Sequence, residues 1–200
     1  MDYKKEQKKL EENYVLMISN ISEEIEIGIK VYDSVKNNIY QINSDVMKEE
    51  LLSFLNFKIF ISINVLDIGV LSMSMNKAKY SIEQNLYARL LSIQIYEFIN
   101  DYSKFNFKNI SSFLEKEPQL KLKERFYNYR KSILNFYEKN GIYYSEIRNS
   151  CGAHKNKNAR NLYENIIKID CQEQSTKTND LLDLMVEFIK TVDDILEIVS

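Results

Sequence analysis

The sequence predicts an all-α fold, a bundle of about five to six helices that forms a single domain over residues 1–200. It contains only four glycines and one proline, whereas sandwiches, barrels and α/β folds need turn residues at short intervals. The composition, 44% hydrophobic and 28% charged, is ordinary for a globular protein and excludes general disorder. Two hundred residues suffice for one domain with a sizeable core and are few for two.

The first two helices are predicted from their apolar patterns. Apolar residues at spacings of three and four predict a first helix that ends in the polar region 36–38. Residues 43–45 offer capping side chains for a second helix. Its stretch 51–75 resembles a membrane span, but Lys58 and Asp67 lie inside it, and charged side chains are costly in hydrocarbon. We therefore predict a buried core helix and no membrane association.

Two further helices follow in the middle of the chain. Residues 80–102 predict a third helix, and residues 111–115 predict one extra turn. Pro118 fits the first turn of a fourth helix, because its missing N–H is not needed there. This helix is predicted to reach Lys139 and to stop at residues 140–141, an Asn-Gly pair typical of a helix end.

The C-terminal part of the chain predicts two more helices. One covers about residues 159–170. The last one, residues 181–199, has the clearest apolar stripe, and residues 179–180 are predicted as its N-terminal cap. We interpret these stripes mainly as core, although one of them is an alternative candidate for burial against a second subunit.

Charge and cysteine content limit the location and the partners. A formal net charge of −2 argues against a general nucleic-acid coat protein but allows a local basic patch. Cys151 and Cys171 are too few for a disulfide framework and suit a reducing compartment. The N-terminus is charged and lacks the apolar region of a signal peptide. We predict a cytoplasmic protein.

The single histidine excludes several kinds of site. A di-metal carboxylate site in a bundle needs Glu-x-x-His pairs on two helices. A zinc site would have at most three ligands, Cys151, His154 and Cys171, at unfamiliar spacing. No phosphate-binding glycine loop is present. We therefore predict no metal and no cofactor. A Cys151–His154 nucleophile pair stays open as an alternative, because Cys151 lies three positions before His154 and a helix would place both on one face.

The segment from Arg148 to Arg160 carries the most informative pattern. It contains four basic residues, Arg148, Lys155, Lys157 and Arg160, and no acidic one. Such a patch suits RNA phosphates, and arginine can bind them in bidentate fashion. His154 adds a group that transfers protons near neutral pH. These groups suffice to cleave RNA without a metal, by attack of a 2′-hydroxyl on the adjacent phosphorus.

The motif Arg148-Asn149-x-x-x-x-His154, late in an all-helical chain, resembles that of the HEPN superfamily. The resemblance implies a HEPN-like fold and a metal-independent endoribonuclease of a toxin–antitoxin or phage-defence system. It implies that His154 is the catalytic histidine, that Arg148 stabilises the phosphate, and that Asn149 orients them. Lys155, Lys157 and Arg160 would bind RNA. The family typically forms homodimers in which two motifs face one cleft, and a cognate antitoxin or regulatory protein is a further expected partner.

Two residues of the third helix are candidate contributors, since the family often sends a polar residue from an earlier helix toward the cleft. Arg89 and Glu97 are eight positions apart and share a helix face, which is also what an ordinary solvated or ion-paired face would show. Asn156 occupies the place where some members have a tyrosine modified by a partner nucleotidyltransferase, so that control is not expected. The alternative function is a non-catalytic helical interaction or RNA-binding module.

Overall fold

The computed structural model describes residues 3–39, 44–116, 120–151 and 158–199. Within these ranges the chain forms seven α-helices and no strand, which confirms the all-α bundle. The helices are α1 (Tyr3–Lys36), α2 (Asp45–Lys77), α3 (Ser81–Lys104), α4 (Lys108–Lys116), α5 (Leu120–Cys151), α6 (Ala159–Ile167) and α7 (Cys171–Val199). The number exceeds the predicted five to six because the expected extra turn is a nine-residue helix, α4, which buries three apolar side chains.

Helix α2 lies at the centre of the bundle and contacts α1, α3, α4 and α7. The predicted cap is confirmed, because the Ser44 hydroxyl accepts a hydrogen bond from the Met47 backbone N–H at 3.1 Å. By length and composition α2 is also the one described helix that could cross a membrane, and half of its most apolar 18-residue window is buried inside the bundle.

Aromatic side chains connect the helices of the core. Phe57 of α2 is fully buried, and its ring centroid lies 5.2 Å from that of Phe188 on α7 and 5.9 Å from that of Phe126 on α5. The ring of Phe107, between α3 and α4, lies 5.1 Å away. Edge-to-face pairs of this kind add roughly 0.5–1.5 kcal/mol each beyond area burial. The same hydrophobic core includes side chains from all seven described helices.

Helix α5 does not stop at residues 140–141, and the predicted end at Lys139 is wrong. Asn140 is buried, donating a hydrogen bond to the Phe136 carbonyl at 3.1 Å and accepting one from Lys177 of α7 at 2.8 Å. Gly141 lies inside the helix without a positive φ, and the Tyr137 ring occupies the space that a Cβ would fill, 2.6 Å from the ring. Both residues therefore serve packing rather than termination.

Helix α7 begins at Cys171, so the predicted cap at residues 179–180 is also wrong. The Asp170 carboxylate caps the helix by accepting the backbone N–H groups of Gln172 and Glu173, at 2.9 and 3.0 Å. Two polar side chains of its first turns, Gln174 and Thr178, are buried, and Gln174 accepts a hydrogen bond from Ser92 of α3 at 3.0 Å. The preceding helix, α6, ends at Ile167, three residues before its predicted end.

Candidate active site

Helices α3 and α5 pack together and bring two predicted site residues into contact. The Arg148 Nε of α5 donates a hydrogen bond to the Glu97 carboxylate of α3 at 3.0 Å. The guanidinium carbon of Arg148 lies 4.9 Å from the centre of the Tyr96 ring. Arg148 is therefore held on one side by a carboxylate and on another by an aromatic face. The arginine and glutamate side chains are 39% and 43% exposed, so this ion pair is solvent-accessible.

The way in which Glu97 binds Arg148 determines which guanidinium nitrogens remain available to a ligand. Only Nε takes part in the ion pair, and no described residue accepts a hydrogen bond from the two terminal nitrogens. Those two nitrogens form the pair of parallel donors that binds a phosphate in bidentate fashion. Glu97 thus orients the guanidinium through Nε, and among the described residues the two terminal nitrogens have no acceptor.

Asn149 does not contact Arg148 in the described structure. Its side chain is exposed, and its Nδ2 donates to the Ser145 hydroxyl at 3.3 Å, one turn back along α5. Successive helical residues project about 100° apart, which explains why the two neighbours face different surroundings. The geometry places Asn149 beside Ser145.

His154, Lys155 and Lys157 lie in residues 152–157, outside the described residues, as does the side chain of Cys151. Side-chain hydrogen bonds connect the helices on either side of these residues. Helix α6 is joined to α5 by the Asn165 side chain, which donates to the Ser150 carbonyl at 3.4 Å. It is joined to α3 by Asn85, which donates to the Ile166 carbonyl at 2.9 Å. We call this meeting point of α3, α5 and α6 the motif corner.

The described arginines of the basic segment are compensated in space. Arg160 is 85% exposed and pairs with Glu164 one turn along α6 at 2.8 Å, while Arg148 pairs with Glu97. The basic run lacks acidic residues only along the chain, and the fold supplies one carboxylate to each of these arginines. The positive patch is therefore weaker around the described residues than the sequence count implies.

The two candidate residues of α3 behave differently. Glu97 reaches the motif, whereas Arg89 forms no ion pair with any described residue and its buried Nε has no hydrogen-bond acceptor. Tyr96 is not among the site residues predicted from the sequence. The only sequence feature that points to a role at the site is its position next to Glu97. An aromatic residue at helical spacing is more often part of the core.

Helix α5 also borders an open cavity of about 340 Å³ beside Tyr96. Its lining comprises Tyr96, Tyr137, Glu138, Gly141, Ile142, Ser145 and Glu146. Ser145 is the residue that accepts the Asn149 hydrogen bond, so the cavity adjoins the motif corner through two separate contacts.

The second cysteine lies on the other side of the motif corner, at the start of α7. Its thiol sits 3.8 Å from the Asn85 side-chain oxygen, and burial together with the nearby Asp170 carboxylate raises the pKa of the Cys171 thiol. A protonated thiol is a poor nucleophile and a poor metal ligand. Within the described ranges, no group of three or more His, Cys, Asp or Glu residues is arranged to hold a metal ion.

The motif corner thus combines a half-exposed arginine with a fixed orientation, a positioning carboxylate and an adjacent cavity. These features are consistent with the binding of a phosphate-containing ligand. No protein-family model, curated protein or solved structure matches this chain.

Proposed function

We propose that this chain is a HEPN-like, metal-independent endoribonuclease of a toxin–antitoxin or phage-defence system. The observation that supports it best is the geometry of Arg148, whose Nε is held by Glu97 while its two terminal nitrogens have no described acceptor. This arginine precedes His154 by six positions in the sequence. The proposed protein is cytoplasmic and forms a homodimer, with RNA as substrate and a cognate antitoxin or regulatory protein as a further partner.

The proposed reaction needs only side chains. His154 removes the proton of a ribose 2′-hydroxyl, and the 2′-oxygen attacks the adjacent phosphorus. Arg148 stabilises the negative charge that develops on the phosphorane oxygens. The bond to the 5′-oxygen then breaks and that oxygen takes up a proton, which leaves a 2′,3′-cyclic phosphate and a 5′-hydroxyl. Lys155, Lys157 and Arg160 bind the neighbouring phosphates, and Asn149 orients the reacting groups.

A second candidate function is a non-catalytic interaction or RNA-binding module. It is favoured by the ion pairs of Arg148 with Glu97 and of Arg160 with Glu164. Such ion pairs also occur where they only join two helices, as Arg148 with Glu97 does, or lie along one helix, as Arg160 with Glu164 does. Exposed pairs of this kind contribute about 0–1 kcal/mol. In that case RNA would bind without being cut.

The two functions are separated by an RNA cleavage assay in the presence of EDTA. We expect the wild-type protein to cut RNA and to leave cyclic-phosphate ends. His154→Ala should lower the rate roughly 100- to 10,000-fold because the general base is lost. Arg148→Ala should lower it about 100- to 1,000-fold because the charge on the phosphorane is no longer stabilised.

Arg125→Ala is the matched control for Arg148→Ala. Arg125 lies on the same helix, roughly 35 Å away, and it is ion-paired with Asp194 at 2.7 Å with a similar 43% exposure. Its replacement should leave cleavage unchanged. Intact RNA with every protein, across varied substrates, would exclude the ribonuclease and favour the binding module. Cleavage that EDTA abolishes would exclude the metal-independent mechanism.

A further inference from the structure

The cavity beside the motif corner has properties that suit a flat, uncharged ligand. It holds about 340 Å³ between α3 and α5, near the lower end of the range for small-molecule sites. Tyr96 both lines the cavity and packs against the Arg148 guanidinium, so the cavity and the arginine share one aromatic side chain. A ligand that bridged the two would place an anionic group on Arg148 and its remaining part in the cavity.

The lining of the cavity includes large aromatic and apolar side chains that are accessible. Tyr137 is 41% exposed and Ile142 is 74% exposed, both large side chains on the solvent side of α5. The Tyr137 ring can lie flat along the helix because residue 141 is glycine, where a Cβ would approach the ring to 2.6 Å. Aromatic faces of this kind are the surfaces on which nucleobases stack.

The rim of the cavity is acidic. Glu138 and Glu146 are exposed, and neither forms an ion pair with a described residue. Two such carboxylates repel a phosphate, so a phosphate belongs on Arg148 and not in the cavity. They attract N–H donors instead, because an ionised carboxylate only accepts hydrogen bonds. Guanine presents adjacent N–H donors on one edge, whereas uracil presents a single donor between two acceptors.

We propose that this cavity is a nucleobase pocket that receives the base next to the phosphate on Arg148, and that it favours guanine over uracil. Stacking on Tyr137 would supply affinity, and the carboxylates of Glu138 and Glu146 would supply the preference. This inference deepens the proposed ribonuclease function by naming the nucleotide at its site. Base binding itself does not require cleavage, which allows the two to be tested separately.

The test is calorimetric titration of the full-length protein with the four ribonucleoside 5′-monophosphates and with ribose 5-phosphate, which lacks a base. We expect guanosine monophosphate to bind most tightly and ribose 5-phosphate to bind most weakly. Tyr137→Ala should weaken guanosine monophosphate binding about tenfold because a stacking surface is lost. Glu146→Gln should reduce the preference for guanine over uracil, since a carboxylate acceptor is replaced by an amide.

Gly141→Ala offers a second way to disturb the pocket, because its methyl group displaces the Tyr137 ring. Alanine is also the better helix former, so a normal thermal melt with weakened base binding is expected. Tyr163→Ala is the control, a 55% exposed tyrosine on α6 that does not line the cavity. It should bind guanosine monophosphate like the wild type.

Equal binding of all five ligands, or unchanged binding by Tyr137→Ala and Gly141→Ala, would overturn the pocket whether or not the protein cuts RNA. Selective guanosine monophosphate binding that is lost in these variants would support the pocket even if no RNA is cut. In that second case the proposed ribonuclease would fail and the base pocket would stand.

Discussion

Arg148 illustrates how a single residue acquires its geometry from neighbours that are distant in sequence. Its carboxylate partner Glu97 lies 51 positions earlier in the chain, and Tyr96 next to it supplies an aromatic face. The motif itself could be predicted from sequence because its residues are adjacent. A role for Glu97 could be suggested only through the family resemblance, in which an earlier helix sends a polar residue toward the cleft. The contact of Tyr96 with Arg148 could not be predicted, since the packing of α3 on α5 decides it.

Glu97 acts in the proposed reaction as a positioning residue for Arg148. We expect Glu97→Gln to lower kcat about tenfold, because the guanidinium loses the partner that orients it. KM for RNA should stay unchanged at high salt and should fall at low salt, because the site loses a negative charge that repels RNA phosphates. Steady-state kinetics at several salt concentrations measure both changes.

Glu187→Gln provides the comparison for this kinetic test. Glu187 pairs with Lys190 on α7 at 2.6 Å and is similarly exposed, so its loss should leave kcat and KM unchanged. Either variant should alter the unfolding free energy by less than about 1 kcal/mol. Equal falls in kcat for both would show that Glu97 has no specific role at the motif corner.

Tyr102 carries a buried hydroxyl that makes no hydrogen bond with the described residues. Burial raises the pKa of this hydroxyl above its ordinary value, although the nearby positive charge of Arg130 opposes the rise. The folded chain therefore keeps this proton at pH values where the unfolded chain, with a tyrosine pKa of about 10, loses it. Folding stability is retained below about pH 10 and falls as the pH rises above it.

We expect the unfolding free energy of Tyr102→Phe to fall less steeply above pH 10 than that of the wild type, by about 1.4 kcal/mol per pH unit. At neutral pH the change should leave stability unchanged or raise it by up to about 1 kcal/mol, because an unsatisfied polar atom is removed. Urea unfolding at several pH values measures both effects. Tyr80→Phe, at a 70% exposed position, should reproduce the wild-type pH profile. If Tyr102→Phe lowers the unfolding free energy by more than about 1 kcal/mol at neutral pH, the hydroxyl makes a stabilising hydrogen bond and this interpretation is wrong.

Helix ends show why local sequence signals succeed in one place and fail in another. The cap at Ser44 was predictable because its bond to the Met47 N–H lies within one turn. The predicted end at Lys139 was wrong because the Asn140 side chain, taken as part of the stop signal, is hydrogen-bonded to Lys177 of another helix. A polar residue ends a helix only when no other helix supplies a hydrogen-bond partner for its side chain. The sequence alone does not show which partners the fold supplies.

The predicted start of α7 was wrong for the same physical reason. The predicted cap lies at residues 179–180, yet the preceding Gln174 and Thr178 are helical and fully buried. Gln174 accepts a hydrogen bond from Ser92 of α3 across the helix interface. This bond replaces a hydrogen bond that the side chain would otherwise make with water. The apolar stripe from Leu181 onward was correctly predicted as helical because it depends on periodicity alone.

At the scale of the whole molecule, the proposed composite site requires a surface that brings two motif corners together. Leu86 and Leu90 of α3 are 42% and 46% exposed, and they lie on one helical stripe with Glu97, at spacings of four and seven residues. A contiguous patch of exposed apolar side chains marks an interaction surface, and we propose that these two leucines belong to one. A homodimer through this stripe would place Arg148 of each copy near the same cleft.

We expect Leu90→Glu to convert the proposed dimer into a monomer and to abolish RNA cleavage. In a two-fold symmetric interface each substitution acts twice, and the introduced carboxylates would repel each other or be buried unpaired. Sedimentation velocity measures the oligomeric state, and the cleavage assay measures the activity. Ile27→Glu is the matched control, since Ile27 is 52% exposed on α1, a helix that packs mainly on α2. A wild-type chain that sediments as a monomer and still cleaves RNA would mean that one copy holds the complete site.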